Sequence, residues 1–107
     1  MKRALLPLVV LVALIAMNSC GEKTAVVESG IYQGTIYKVE PEKTEIYVEL
    51  SDGRILELYF TDQTLLTKND ETVEFSVLAK GDTVEVQIEK IGKRLDPISV
   101  AIKGQHD

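Results

Sequence analysis

From Gly30 onward the chain alternates apolar and polar residues with a period of two, the mark of strands that bury one face and wet the other. The pattern predicts a first strand over Ile31 to Glu40, closed by the turn-forming Pro41-Glu42-Lys43. Thr44 to Ser51 is the clearest strand: Ile46, Val48 and Leu50 point one way, Glu45, Tyr47 and Glu49 the other. Asp52-Gly53 supplies the positive backbone angles of a tight hairpin. Arg54 to Thr61 then returns with Leu56, Leu58 and Phe60 inward and Ile55, Glu57 and Tyr59 outward.

Asp62 to Lys80 is less regular. Lys68-Asn69-Asp70-Glu71 reads as a solvated loop tip, and Ser76 to Gly81 as one helical turn with Ser76 as its cap and Gly81 as its stop. Asp82 to Ile91 alternates again, with Val84, Val86 and Ile88 inward. Gly92-Lys93-Arg94 turns the chain, and a last strand after Pro97 places Ile98, Val100 and Ile102 inward. Three hairpin-linked strands, an irregular segment and a final hairpin are the chain order of a small all-β, five-stranded OB-like barrel. An SH3-like barrel or a small open sandwich produces nearly the same alternation, and both alternatives stay open here.

The amino terminus follows a different rule. Lys2 and Arg3 precede an uncharged apolar run, Ala4 to Met17, that falls short of the roughly 20 residues a membrane-spanning helix needs. A short positive segment followed by a short apolar one is the layout of a secretory signal. Met17-Asn18-Ser19-Cys20 then resembles the lipobox of bacterial lipoproteins, with Ser19 at the small position before the cut. The resemblance implies that residues 1–19 are removed and that Cys20 is lipidated and becomes the first residue of the mature chain. Residues 20–29 then form a lipidated tether, its part from Thr24 to Ser29 flexible, residues 30–104 the barrel and residues 105–107 a disordered tail. Two or three acyl chains hold firmly, since each buried methylene contributes about 0.8 kcal/mol. In double-membrane bacteria an Asp after the anchor favours the inner membrane; Gly21 leans toward the outer one.

Charge narrows the partners. The chain carries a formal charge of −5, and loses two further positive charges once Lys2 and Arg3 leave. Such a surface repels phosphate backbones, so nucleic acid is a poor partner. With one Cys there is no disulfide, and the domain holds itself by packing and strand pairing alone.

The turn and core residues Gly34-Thr35-Ile36, Leu50-Ser51-Asp52-Gly53-Arg54, Phe75-Ser76-Val77-Leu78 and Gly81-Asp82-Thr83-Val84 resemble a family of short exported barrel domains of unassigned function found in bacterial lipoproteins. The resemblance runs from Gly30 to Lys103 and implies fold and location, with no catalytic residue to carry over.

Catalytic and metal chemistry find little footing. Soft Cu(I) needs thiolate, thioether or imidazole ligands; processing removes Met1 and Met17 and consumes Cys20, leaving His106 alone. Asn69, Asp70 and Glu71 lack the spacing of a calcium loop. His106 has no orienting neighbour, so no enzyme and no cofactor are expected. Glu45, Glu49, Glu57, Glu85 and Glu89 alternate with core residues and read as solvated charge that discourages strand aggregation.

All four tyrosines fall in the first three strands. Tyr47 and Tyr59 face outward on neighbouring strands, where Tyr37 is expected to join them with Ile55 nearby; in OB barrels this is the usual ligand face. Cross-strand aromatic pairs also stabilise a sheet with no ligand, by roughly 0.2–1 kcal/mol each. The candidate surface is therefore Tyr37, Tyr47, Ile55 and Tyr59, fitted to an envelope protein or to a glycan, on a domain that otherwise only displays bulk at the membrane.

Overall fold

A computed structural model describes residues 24–104. The signal, Cys20, Gly21, His106 and the tail at 105–107 lie outside the described residues.

Seven strands form one sheet: β1 (Gly30–Glu40), β2 (Glu45–Leu50), β3 (Ile55–Tyr59), β4 (Leu65–Lys68), β5 (Glu71–Thr72), β6 (Thr83–Ile91) and β7 (Arg94–Gly104). Their order is β3-β2-β1-β6-β7-β4-β5, and β3 also pairs with β7. That last pairing is parallel and joins Leu58 to Leu95, closing β1, β2, β3, β7 and β6 into a five-stranded barrel. The closed five-strand circuit is that of an OB-type barrel. The inward sets of each strand, including Ile46, Val48, Leu56, Leu58, Val84, Val86 and Val100, make one continuous core. Among the described residues no helix is long and apolar enough to cross a membrane.

The turns follow from single residues. Gly53 (φ 92°) sits in the β2–β3 turn, where the Asp52 carboxylate accepts from the Arg54 backbone N–H at 3.0 Å and its Nε at 2.9 Å. Gly92 (φ 64°) lets Ile91 pair directly with Arg94 across the β6–β7 turn. Gly34 serves a different need. A Cβ there would stand 2.5 Å from the Glu49 carbonyl oxygen and 2.7 Å from a Val48 methyl, so only glycine lets β1 cross β2 so closely.

Four expectations change. The irregular stretch contains β4 and β5, whose hairpin turns on Asn69 and Asp70 at φ 54° and 66°, with β4 running parallel to β7. Four- and two-residue strands are too short to show a period. The helical turn is a 3-10 turn, Phe75–Val77, with Glu74 at the N-cap position and Ser76 inside it, so Ser76 caps nothing. Leu78 closes that turn, its N–H donating to the Phe75 carbonyl, and Asp82 holds the next one: it is buried, and its carboxylate accepts from the Ala79 N–H at 3.0 Å.

The last strand starts at Arg94, before Pro97, and buries Leu95 and Pro97. Ile98, expected inward, is 43% exposed. Ile88 pairs with Pro97 and Gln87 with Ser99, so Ile98 is the extra residue of a bulge and the inward set slips by one, from Leu95 and Pro97 to Val100 and Ile102. Pro97, which has no N–H to give, sits where the ladder is already interrupted.

The segment Thr24–Ser29, expected to be flexible, is laid against the barrel. Thr24 bridges to Ile55, the Ala25 N–H donates to the Ile55 carbonyl at 2.8 Å, and Val27 is only 5% exposed within the core. At its far end Ser29 Oγ accepts from the Lys90 N–H at 2.9 Å, and Glu28 pairs with the Lys90 ammonium at 3.2 Å. β7 meets β3 at Leu58, which leaves the start of β3 unpaired on that side; Thr24 and Ala25 fill that edge.

Candidate functional site

The outer face of β2 and β3 carries two tyrosines and two glutamates in a checkerboard. Glu45 stands opposite Tyr59, and Tyr47 opposite Glu57. The Tyr47 hydroxyl donates to Glu57 Oε2 at 3.1 Å. On the other side of Tyr47, Lys38 of β1 stands in register with it, the Lys38 ammonium 5.3 Å from the ring centroid and 2.9 Å from Glu40. The Tyr47 ring is thus held by a cation over its face and a carboxylate at its tip.

Lys38 occupies this seat because of a bulge. Ile36 pairs with Val48 but Lys38 with Tyr47, so Tyr37 is skipped. An unbroken ladder would have set Tyr37 against Tyr47. Instead Tyr37 turns to a separate hollow of about 560 Å3 beside Leu78 and Ala79. Tyr47 and Tyr59 therefore share the expected face, and Tyr37 does not join them. Ile55 stands at the lower end of that face, opposite Glu49, its backbone engaged by Thr24 and Ala25.

Burial sets the electrostatics. Glu45 was expected on a solvated face but is only 4% exposed, and its Oε1 has no hydrogen-bond partner. Loss of water, then the neighbouring Glu57 carboxyl, push the Glu45 carboxyl above the usual carboxylate range. The same two causes push the Tyr47 hydroxyl up to about 12 and raise that of Tyr59. The Lys38 ammonium, by its hydrogen bond, holds Glu40 below its ordinary value.

Tyr59 and Glu57 also floor a hollow of about 520 Å3, walled by Thr24–Val26 on one side and by Ile91, Lys93 and Arg94 on the other. Arg94 is tied to Asp96 by two hydrogen bonds, at 2.7 and 2.9 Å. A larger hollow, about 680 Å3, lies across the β6–β7 hairpin against Ile91 and Ile98. Among the described residues no group of three or more His, Cys, Asp or Glu side chains is placed to hold a metal ion.

Alternation located Tyr47 and Tyr59 but missed Glu45 and Lys38. Period two assigns a side of the sheet; it is blind to bulges and to what lies over the outer face.

The class defined by this circuit of strands is the OB-type barrel, here with a short β4–β5 flap. No family model matches the chain, and no curated protein sequence is similar to it. Solved structures of CusF have a similar barrel. The silver(I) form of CusF aligns with a TM-score of 0.54 at 13% identity, covering 72% of this chain and 100% of that one. A copper(II) form of a tryptophan-to-alanine variant of Escherichia coli CusF aligns at 0.56 and 14%, covering 76% and 99%. Metal-free CusF from the same organism aligns at 0.53 and 13%, covering 78% and 98%. At that identity the likeness shows the fold.

Proposed function

We propose that the domain is a non-catalytic binding module of the bacterial cell envelope, anchored through lipidated Cys20, that engages a protein partner through the Tyr47–Tyr59 face. The observation that carries this reading is the fixed Tyr47 ring, held between the Lys38 ammonium and the Glu57 carboxylate beside the Tyr59 hollow. An aromatic side chain immobilised before contact loses little freedom on binding, which is how rigid tyrosines serve as anchors. Tyr47, with its hydroxyl pushed up to about 12, keeps its proton at neutral pH and acts as a hydrogen-bonding group rather than a base.

The ring and carboxylate lining the Tyr59 hollow favour a glycan as the second reading, since sugars stack on rings and donate hydroxyls to carboxylates. The silver and copper of the CusF structures do not transfer. Met1, Met17, Cys20 and His106 are the only thioether, thiol and imidazole groups of this chain, none of them in the barrel, and soft metals need such ligands.

In-cell photo-crosslinking separates the readings, with the reactive amino acid at Tyr59 and a control at Glu71. One discrete protein adduct at Tyr59 alone supports the protein-binding module. Equal adducts at both sites, or none, reject it. Titration with cell-wall fragments that shifts Tyr47 and Tyr59 ring signals moves the assignment to glycan.

A further inference from the structure

Across β1, β2 and β3 the outward residues stand in two rows, Glu40–Glu45–Tyr59 and Lys38–Tyr47–Glu57. Two of the glutamates in these rows have donors. Glu40 meets the Lys38 ammonium at 2.9 Å and that of Lys43 at 3.9 Å. Glu57 accepts from the Tyr47 hydroxyl at 3.1 Å. Glu45, in the middle of its row, is 4% exposed, and among the described residues no donor reaches its Oε1.

A carboxylate at Glu45 is therefore costly on two counts. It has left water without gaining a hydrogen bond, and Glu57 beside it is a second acid. The other charged groups around it do not reverse this. Lys43, on the turn before β2, favours the anion and Glu40 opposes it, each less than burial and Glu57 do. Lys38 is engaged by Glu40, and Arg94 of β7, beside Tyr59, is tied to Asp96. A protonated Glu45 removes both costs. The neutral acid is cheaper to bury, and Glu57, diagonal to it across β2 and β3, is within reach of its O–H. Glu57 then accepts from two donors, Glu45 and Tyr47, which is how a single carboxylate is held firmly.

We propose that Glu45 and Glu57 hold one proton between them, and that its release to water switches this part of the tyrosine face from one negative charge to two. The switch reaches both rings, because Glu57 carries the Tyr47 hydroxyl and Glu45 stands opposite Tyr59. Two anions side by side on a surface half stripped of water repel, and the relief is for Glu45 to turn outward past Tyr59. The face is the one proposed above for binding; what the proton changes there is its charge, with or without a partner.

The test is carbon-13 NMR of the full chain in non-ionic detergent, with glutamate carboxyls and tyrosine rings labelled, from about pH 3 to about pH 9. The signal lost in Glu45→Gln is expected to be the last glutamate to titrate, with Tyr47 and Tyr59 ring signals moving at the same midpoint. Glu57→Gln keeps the shape, removes the like charge and should bring that midpoint down. Tyr47→Phe takes the other donor from Glu57 and should push it up. Glu89→Gln, on the wet face of β6, should leave it in place. A Glu45 that titrates among the other glutamates overturns the held proton. One that titrates late but ignores Glu57→Gln overturns the sharing, and rings that do not follow the midpoint overturn the switch. None of these signals involves a partner, so failure here is distinct from failure of crosslinking at Tyr59.

Discussion

The outer faces of β2 and β6 are built from the same kind of sequence and meet different fates. Both alternate core residues with acids: Glu45, Tyr47, Glu49 on one, Glu85, Gln87, Glu89 on the other. On β6 the outer residues are exposed or half-buried, and Glu85 does no more than approach Lys103 at 3.8 Å, an interaction worth little in water. On β2 the same spacing yields a buried glutamate with an unpartnered oxygen and a tyrosine fixed on two sides. The difference lies in the neighbours: the bulge in β1 inserts Lys38 next to Tyr47, and Tyr59 and Glu57 of β3 stand across from Glu45 and Tyr47, whereas Glu49, beside the close approach at Gly34, stays exposed. A strand's alternation decides which side a residue is on; the strands beside it decide whether that side is wet.

The largest effect should come from separating the crowded strands. Gly34→Ala places a methyl 2.5 Å from the Glu49 carbonyl and should destabilise the domain by about 2–4 kcal/mol in urea unfolding. Gly104→Ala, whose Cβ would meet Thr83 at an ordinary 3.7 Å, should shift the same midpoint by less than about 1 kcal/mol. Comparable losses would show that the close approach at Gly34 does not limit what that position can hold.

Glu45→Gln should stabilise the protein at neutral pH by roughly 1–2 kcal/mol, because it removes a buried charge while keeping the shape. The pH dependence has a definite sign. Glu45 holds its proton more tightly in the folded state than its ordinary value of 4.5, so its contribution is fully present below that value and is lost as pH rises through the raised one. Unfolding from about pH 4 to about pH 8 should show the variant's advantage growing with pH. An advantage that instead shrinks would put Glu45 in a stabilising ion pair.

Tyr47→Phe removes one half-buried hydrogen bond to Glu57 and should cost about 1 kcal/mol in thermal unfolding. No loss would mean that the ring alone, under Lys38, fixes this position. Glu89→Gln, on the wet face, should stay within about 0.5 kcal/mol of the parent at any pH.

Much of the barrel was legible because its signals are local. Asp52-Gly53 and Gly92 place two hairpins, and Ile46, Val48, Leu56, Leu58, Val84 and Val86 all point inward as their period demands. What escaped has its cause elsewhere in the chain. The bulges at Tyr37 and Ile98 exist because of the partners those residues lack, and neither residue announces it. Val27 looked like part of a spacer, since one apolar residue in a short segment has no period to reveal its burial. In the candidate site the tyrosine pair was readable, while Glu45 looked like any other outward acid and Lys38 gained its place only by the slip at Tyr37.

The two-residue strand β5 has a consequence for copies of the domain crowded together. Each barrel strand is paired on both sides along part of its length, and the sheet ends at Glu71-Thr72, short, polar and exposed. Such an edge gives a neighbouring copy almost no ladder to extend. At high local concentration these domains can pack densely while meeting one another as charged bodies rather than as growing strands.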